Sequence, residues 1–178
     1  MLVAATSLLG ACATGPKVEI PQLSVPDTIT VSAPAFDDGQ PLPASDTCFG
    51  EGAFPRIEWS TLPDRTSSVA VVVYDPDAEG GPYVHRLTTN LVPSAGQLPD
   101  AATPKGAVEY ETSAGKPGWT PPCPPKDSGV HHYVFWVLAL DRPTRIPPET
   151  AQTQNVLLNV TESAFAQGSI TATVDSSA

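Results

Sequence analysis

Val69-Ala-Val-Val-Val-Tyr74-Asp75-Pro76-Asp77 runs from apolar, β-branched residues straight into an acidic turn. The run reads as a buried strand that ends in a charged side chain. A later stretch, His131-His-Tyr133-Val-Phe-Trp-Val-Leu-Ala-Leu140, has the reverse plan: imidazoles and a phenol lead, and continuous apolar residues follow. Strands of this kind hold charged side chains still at the mouth of a pocket. Between them, Pro121-Pro-Cys-Pro-Pro125 supplies a stiff wall. The combination suggests a small polar cavity suited to an anion rather than a fast catalyst.

Working outward, Thr28 to Ser32, Val108 to Glu111 and Ile170 to Val174 alternate as half-buried strands do, and Arg56 to Ser60 and Val84 to Val92 read as further strands. From Glu149 to Gln167, residues Val156, Leu157, Val160, Ala164 and Phe165 recur at helical spacing, and Gly168 is positioned to stop that helix. Many short strands with one late helix predict a mainly β fold: a β-sandwich of two antiparallel sheets with Greek-key connections and one or two short peripheral helices.

The chain has 178 residues, a size that fits one domain with a real core. Twenty-one prolines and thirteen glycines agree with many turns and few long helices. A formal charge of −10, with nine scattered Lys and Arg residues, disfavours nucleic acid and anionic lipid surfaces, since both are bound through clustered basic side chains.

The first residues, Met1 to Cys12, are apolar and small, and too few to span a bilayer as a helix. They suit the apolar core of a secretory signal, and Leu9-Gly10-Ala11-Cys12 resembles the lipobox of bacterial lipoproteins. The expected organisation is a lipoprotein-type signal over 1–11, a lipidated Cys12 with a flexible tether over 12–27, and a folded domain over 28–178. The departure from the lipobox pattern is the absence of any Lys or Arg before Cys12. The location implied is the cell envelope, with membrane contact only through the anchor. Cys48 and Cys123 then remain, either as a disulfide or as two buried thiols.

Asp75-Pro76-Asp77-Ala78, His85, the proline loop and His131-His132-Tyr133 together resemble the phosphatidylethanolamine-binding protein family, in its bacterial Raf kinase inhibitor-like branch. The likeness extends from about Val31 to Val174 and includes Ala35-Phe-Asp-Asp-Gly39, Leu42-Pro43 and Pro55-Arg-Ile-Glu-Trp59. It implies a β-sandwich whose cavity binds phosphate, phosphoryl headgroups or other small anions. Carried over by position, the cavity residues are Asp75, His85, His131 and Tyr133, walled by Pro122, Pro124 and Pro125, with Asp77 supporting the turn. Two imidazoles and a phenol would supply donors to the anion, and the nearby carboxylate would favour protonated imidazoles, so binding would strengthen as pH falls. Departures from the family pattern are Arg86, where an aromatic residue is common and which offers a guanidinium to an anion, and Pro121, where a glycine is common. Thr112 and Ala114 stand where Asn and Phe are common.

Competing readings are weaker. If residues 131 to 133 are extended, His131 and His132 point to opposite faces and cannot share a metal ion. Asp75-x-Asp77-x-Glu79-Gly80 starts like a calcium loop, but its twelfth position is Arg86 rather than Glu. No phosphate-binding loop, nucleophile elbow or zinc-protease motif occurs, so neither a cofactor nor a metal is expected. The expected function is that of a non-enzymatic binding module for a small anionic or phosphorylated ligand, able to modulate another protein. The alternatives are an acid–base hydrolase or lyase using Asp75 with a histidine, and a protease-inhibitor-like protein.

Overall fold

A computed structural model describes residues 17–60 and 62–177. Cys12 and the signal assigned to 1–11 lie outside these residues. The strands are β1 (Thr30–Ser32), β2 (Ile57–Ser60), β3 (Ser68–Asp75), β4 (Tyr83–Leu91), β5 (Gln97–Leu98), β6 (Val108–Glu109), β7 (Val130–Leu140) and β8 (Ala164–Asp175), with one α-helix, α1 (Thr153–Ser163), before β8. They form an antiparallel three-stranded sheet, β1-β2-β5, and an antiparallel five-stranded sheet, β6-β4-β3-β7-β8. The order β7-β3-β4-β6 within the larger sheet is that of a Greek key.

The apolar run 69–74 forms β3, and it lies at the centre of the larger sheet between β4 and β7. Alternation along it serves two cores at once. Val69, Val71 and Val73 pack with Phe135, Ile57 and Trp59 between the two sheets. Ala70 and Val72 pack with Leu138 and with Val156, Leu157 and Val160 of α1 on the opposite face. A strand covered on both faces has no use for polar positions, which is why this run is continuous rather than alternating.

The helix is shorter than its spacing predicts. It ends at Ser163, and Ala164 and Phe165 already belong to β8, whose register against β7 runs from Leu140–Ala164 to Val130–Asp175. The long ladder outweighs the local helical pattern at the boundary. Gly168 is therefore not a helix stop. It lies within β8, where a Cβ would fall far inside van der Waals distance of the Ile29 carbonyl oxygen. Glycine is required here by the close approach of another backbone.

The outer edge of β8 is sealed by the chain's own early residues. Thr28 and Ile29 donate to the Gln167 carbonyl, Gly39 donates to Thr171, and Leu42 and Thr173 complete the contact. Unpaired strand edges invite association, and this covering removes one. Residues 17–27, expected as part of a flexible tether, are docked instead. Val18 is buried in the helix-side core, the Glu19 amide donates to Gln154 Oε1, and Gln167 donates from its amide to Pro26 and from its side chain to Val25. Apolar Val18 and the backbone groups of this segment find partners on the domain, and that holds it down.

Candidate functional site

Asp75 is the last residue of β3, and its side chain is buried. One carboxylate oxygen, Oδ1, accepts the Asp77 amide at 2.8 Å, an Asx-type turn that the following Pro76 helps to set. The other, Oδ2, accepts from His131 Nδ1 at 2.7 Å. His131 and Tyr133 are two apart on β7 and so share one face, while His132 points the other way. His132 is exposed and pairs with Asp77 Oδ2 through both its backbone amide (2.9 Å) and Nδ1 (2.7 Å). Slight burial would raise the Asp77 carboxyl, but the two bonds from His132 outweigh it and hold the group below its ordinary range.

His85 reaches the site through a defect in the sheet. Val73 faces Arg86 and Tyr74 faces Val84, so His85 is an extra residue on β4 with no partner on β3. Such a bulge re-aims a side chain. Freed from β3, His85 is clamped by Thr120: its carbonyl accepts the Thr120 amide at 2.9 Å, and its Nδ1 donates to the Thr120 carbonyl at 2.8 Å. The ring packs against Tyr83 at 4.9 Å and edge-on to Tyr133 at 5.2 Å.

Asp75, His85, His131 and Tyr133 line a cavity of about 290 Å³, together with Tyr83, Glu79, Thr120 and the wall residues Pro121, Cys123, Pro124 and Pro125. Two residues assigned to the site are absent from this lining. Pro122 is buried behind the wall, where its carbonyl accepts the Cys48 amide, and Asp77 is turned to His132. The wall is stapled from outside by a disulfide between Cys48 and Cys123, with Cα atoms 5.3 Å apart. Among the described residues, no cluster of three or more His, Cys, Asp or Glu has metal-binding geometry.

The donors expected from the imidazoles are spent within the protein. His131 uses Nδ1 on Asp75 and contacts Ser128 Oγ through Nε2 at 2.9 Å. His85 gives its N–H to Thr120 and leaves Nε2, an acceptor in the neutral ring, to the cavity. Burial lowers the His85 pKa and prevails over the Thr120 carbonyl and the Asp75 charge, which both raise it. The carboxylate favours the protonated ring, as expected, but at His85 burial outweighs it. Tyr133 is pushed up, by burial first and then by the charge of Asp75 and a hydrogen bond to it, so its phenol stays protonated with Asp75 as an acceptor.

Arg86 offers nothing to an anion in the cavity. It is fully buried, and its guanidinium binds Glu109 Oε1 at 2.6 Å, Thr88 Oγ1 at 3.0 Å and the Asp100 carbonyl at 2.8 Å. Its charged plane lies 4.3 Å above the Phe54 ring. Thr112 has a local task, donating to the Lys116 carbonyl and accepting the Ala114 amide across the turn at Gly115.

Tyr83 and Ser128 are additions to the site expected from sequence, and Glu79, met there only as a position of the calcium-loop pattern, is another. Tyr83 is two residues before His85, and that spacing was a usable signal. For Ser128 there was none, because its contact depends on how the 125–128 turn folds back.

The fold and cavity together define a class: an antiparallel two-sheet sandwich with a largely apolar pocket, carrying a few acidic, imidazole and phenol groups, where its central strands end. The chain belongs to the phosphatidylethanolamine-binding protein family, whose model matches residues 32–175. The UPF0098 protein Mb1945c of Mycobacterium bovis is 40% identical over 129 residues, covering 72% of this chain and 61% of that protein. Lipoprotein LppC of Mycobacterium tuberculosis is 38% identical over 122 residues, covering 68% and 60%. The chain thus spans about three fifths of the length of these curated relatives. Among solved structures, YbcL of Escherichia coli aligns with a TM-score of 0.77 at 29% identity, covering 82% of this chain and 97% of that one. The phosphatidylethanolamine-binding protein homologue CT736 of Chlamydia trachomatis aligns at 0.74 and 30%, covering 83% and 97%. No helix among the described residues is long and apolar enough to cross a membrane.

Proposed function

We propose that this protein is an extracytoplasmic binding module, rather than an enzyme, whose cavity takes a small ligand bearing a phosphoryl or similar anionic group. The observation that carries the reading is the internal matching of Asp75 by His131 beside an open, largely apolar cavity. A bare buried carboxylate would repel an anion, and a paired one does not. Tyr133 lines the cavity with a phenol whose proton is shared with Asp75 and can be turned to a ligand oxygen. His85 Nε2 accepts from a protonated ligand oxygen or an ammonium, and becomes a donor when the ring takes up a proton. Anion binding therefore draws a proton onto His85 and tightens as pH falls. Glu79 at the lining suits a cationic group on the same ligand, so phosphoethanolamine is a better probe than phosphate alone.

The envelope location rests on Leu9-Gly10-Ala11-Cys12 and on the likeness to a protein named as a lipoprotein. Calorimetric titration with phosphate and phosphoethanolamine at pH 6 and pH 8 tests the function. Binding is expected to be tighter at pH 6 and lost in both Asp75→Ala and His131→Ala. Absence of heat from the intact protein with both probes sinks the reading.

A further inference from the structure

Four short contacts form a chain through the cavity wall: the Asp77 amide to Asp75 Oδ1, Asp75 Oδ2 to His131 Nδ1, His131 Nε2 to Ser128 Oγ (2.9 Å), and Ser128 Oγ to the Pro125 carbonyl (2.6 Å). Proton counting fixes its direction. A carbonyl oxygen has no proton to give, so the contact with Pro125 uses the only hydroxyl proton of Ser128. The serine oxygen then meets Nε2 as an acceptor, and Nε2 must carry a proton. The contact between Nδ1 and Oδ2 holds another. Asp75 and His131 thus share two protons and are neutral as a pair. The Asp77 amide on Oδ1 favours the ionised carboxylate, which leaves both protons on the ring.

We propose that Ser128 is a positioning residue that sets the charge of the cavity wall, its oxygen holding His131 as an imidazolium. This deepens the anion-cavity reading and takes its significance from it. Serine, histidine and aspartate here have the contact pattern of a hydrolase triad, and the proton count decides against that use. A triad histidine receives the hydroxyl proton on an unprotonated nitrogen. At this site the hydroxyl proton is committed to Pro125 and Nε2 is already occupied. The adjoining wall carries prolines at 121, 122, 124 and 125, which have no N–H to stabilise an oxyanion.

The groups facing His131 come from several elements: Asp75 on β3, His85 on β4, Tyr133 on β7 and Glu79 in the β3–β4 loop, while Asp77, turned to His132, acts on it only through its charge. Its neighbour on β8, Val174, is apolar. The carboxylates favour the imidazolium, and His85, neutral in its buried position, does not oppose it. When Nε2 loses its proton at higher pH, Ser128 can keep the histidine only by turning its hydroxyl away from Pro125. Pro125 lines the cavity, so charge and wall geometry change together.

Ring-nitrogen NMR of the full chain without ligand tests this, with His132→Gln to assign the exposed ring. His131 should show both nitrogens protonated in the native chain. At the same pH, Ser128→Ala should move the Nε2 signal towards the unprotonated type, and Ser128→Thr should restore it. Ser176 accepts the Gly129 amide at 2.9 Å in the same loop without touching His131, so Ser176→Ala should leave the Nε2 signal in place. An unmoved Nε2 signal in Ser128→Ala, or an equal change in Ser176→Ala, overturns the proposal. Because no ligand is present, failure of phosphate or phosphoethanolamine to bind would count against the binding function alone.

Discussion

Two acid–base pairs sit on the same five-stranded sheet and are used in opposite ways. Arg86 and Glu109 join β4 to β6 with side chains 0% and 7% exposed, and the guanidinium is further spent on Thr88, Asp100 and Phe54. Asp75 and His131 join β3 to β7 with side chains each 5% exposed, yet both line a cavity. Nearly equal burial hides a difference in what surrounds the pair. The first is closed by protein on every side, and its role is to hold β6 and the 100–101 loop. The second keeps one side for solvent or ligand, so its charge can be tuned and read. Burial alone does not separate the two pairs; the unfilled face of the second does.

The difference can be broken at the closed pair first. Glu109→Ala leaves a buried guanidinium without its carboxylate, a loss of about 3–5 kcal/mol, visible as a lower urea midpoint at unchanged slope. The open pair depends on an outside staple. Replacing Cys48 and Cys123 by Ser should remove about 3 kcal/mol in the same measurement and weaken ligand affinity, because the staple holds the lining. Asp75→Asn should cost only about 1–2 kcal/mol, since water can reach the cavity side of His131. If it destabilises as much as Glu109→Ala, the contrast between closed and open pairs fails.

The smallest effect concerns neighbours on β4, Arg86 charged and His85 neutral. The folded pKa of His85 is lowered by burial, so between the unfolded value near 6.5 and that lower value the unfolded chain binds a proton the folded chain does not. Stability then falls as pH falls through this window, by up to about 1.4 kcal/mol per pH unit. Thermal melts should show that acid slope flattened in His85→Gln.

The strands whose pattern is decided locally were legible. Residues 69–74 and 133–140 are apolar because both of their faces are covered, and they form the centre of the sheet. β5, only Gln97–Leu98, is too short to carry a period. The boundary at Ser163 was hidden because Ala164 and Phe165 continue the helical spacing while pairing as a strand. In the cavity, Asp75, His85, His131 and Tyr133 come together. Their hydrogen-bond directions were not legible, because they depend on the bulge at His85 and on the turn that brings Ser128 to His131. Residue type predicts which donors exist; only geometry shows which are already spent.

The covering of β8 by residues 27–42 has a kinetic meaning. The earliest part of the domain seals the strand made last, so this edge cannot close until the C-terminal residues are available. Contacts so distant in sequence slow the search for the native state. Until β8 has been made, residues 27–42 have no edge to cover, and the strand they protect has no shield until they fold back onto it.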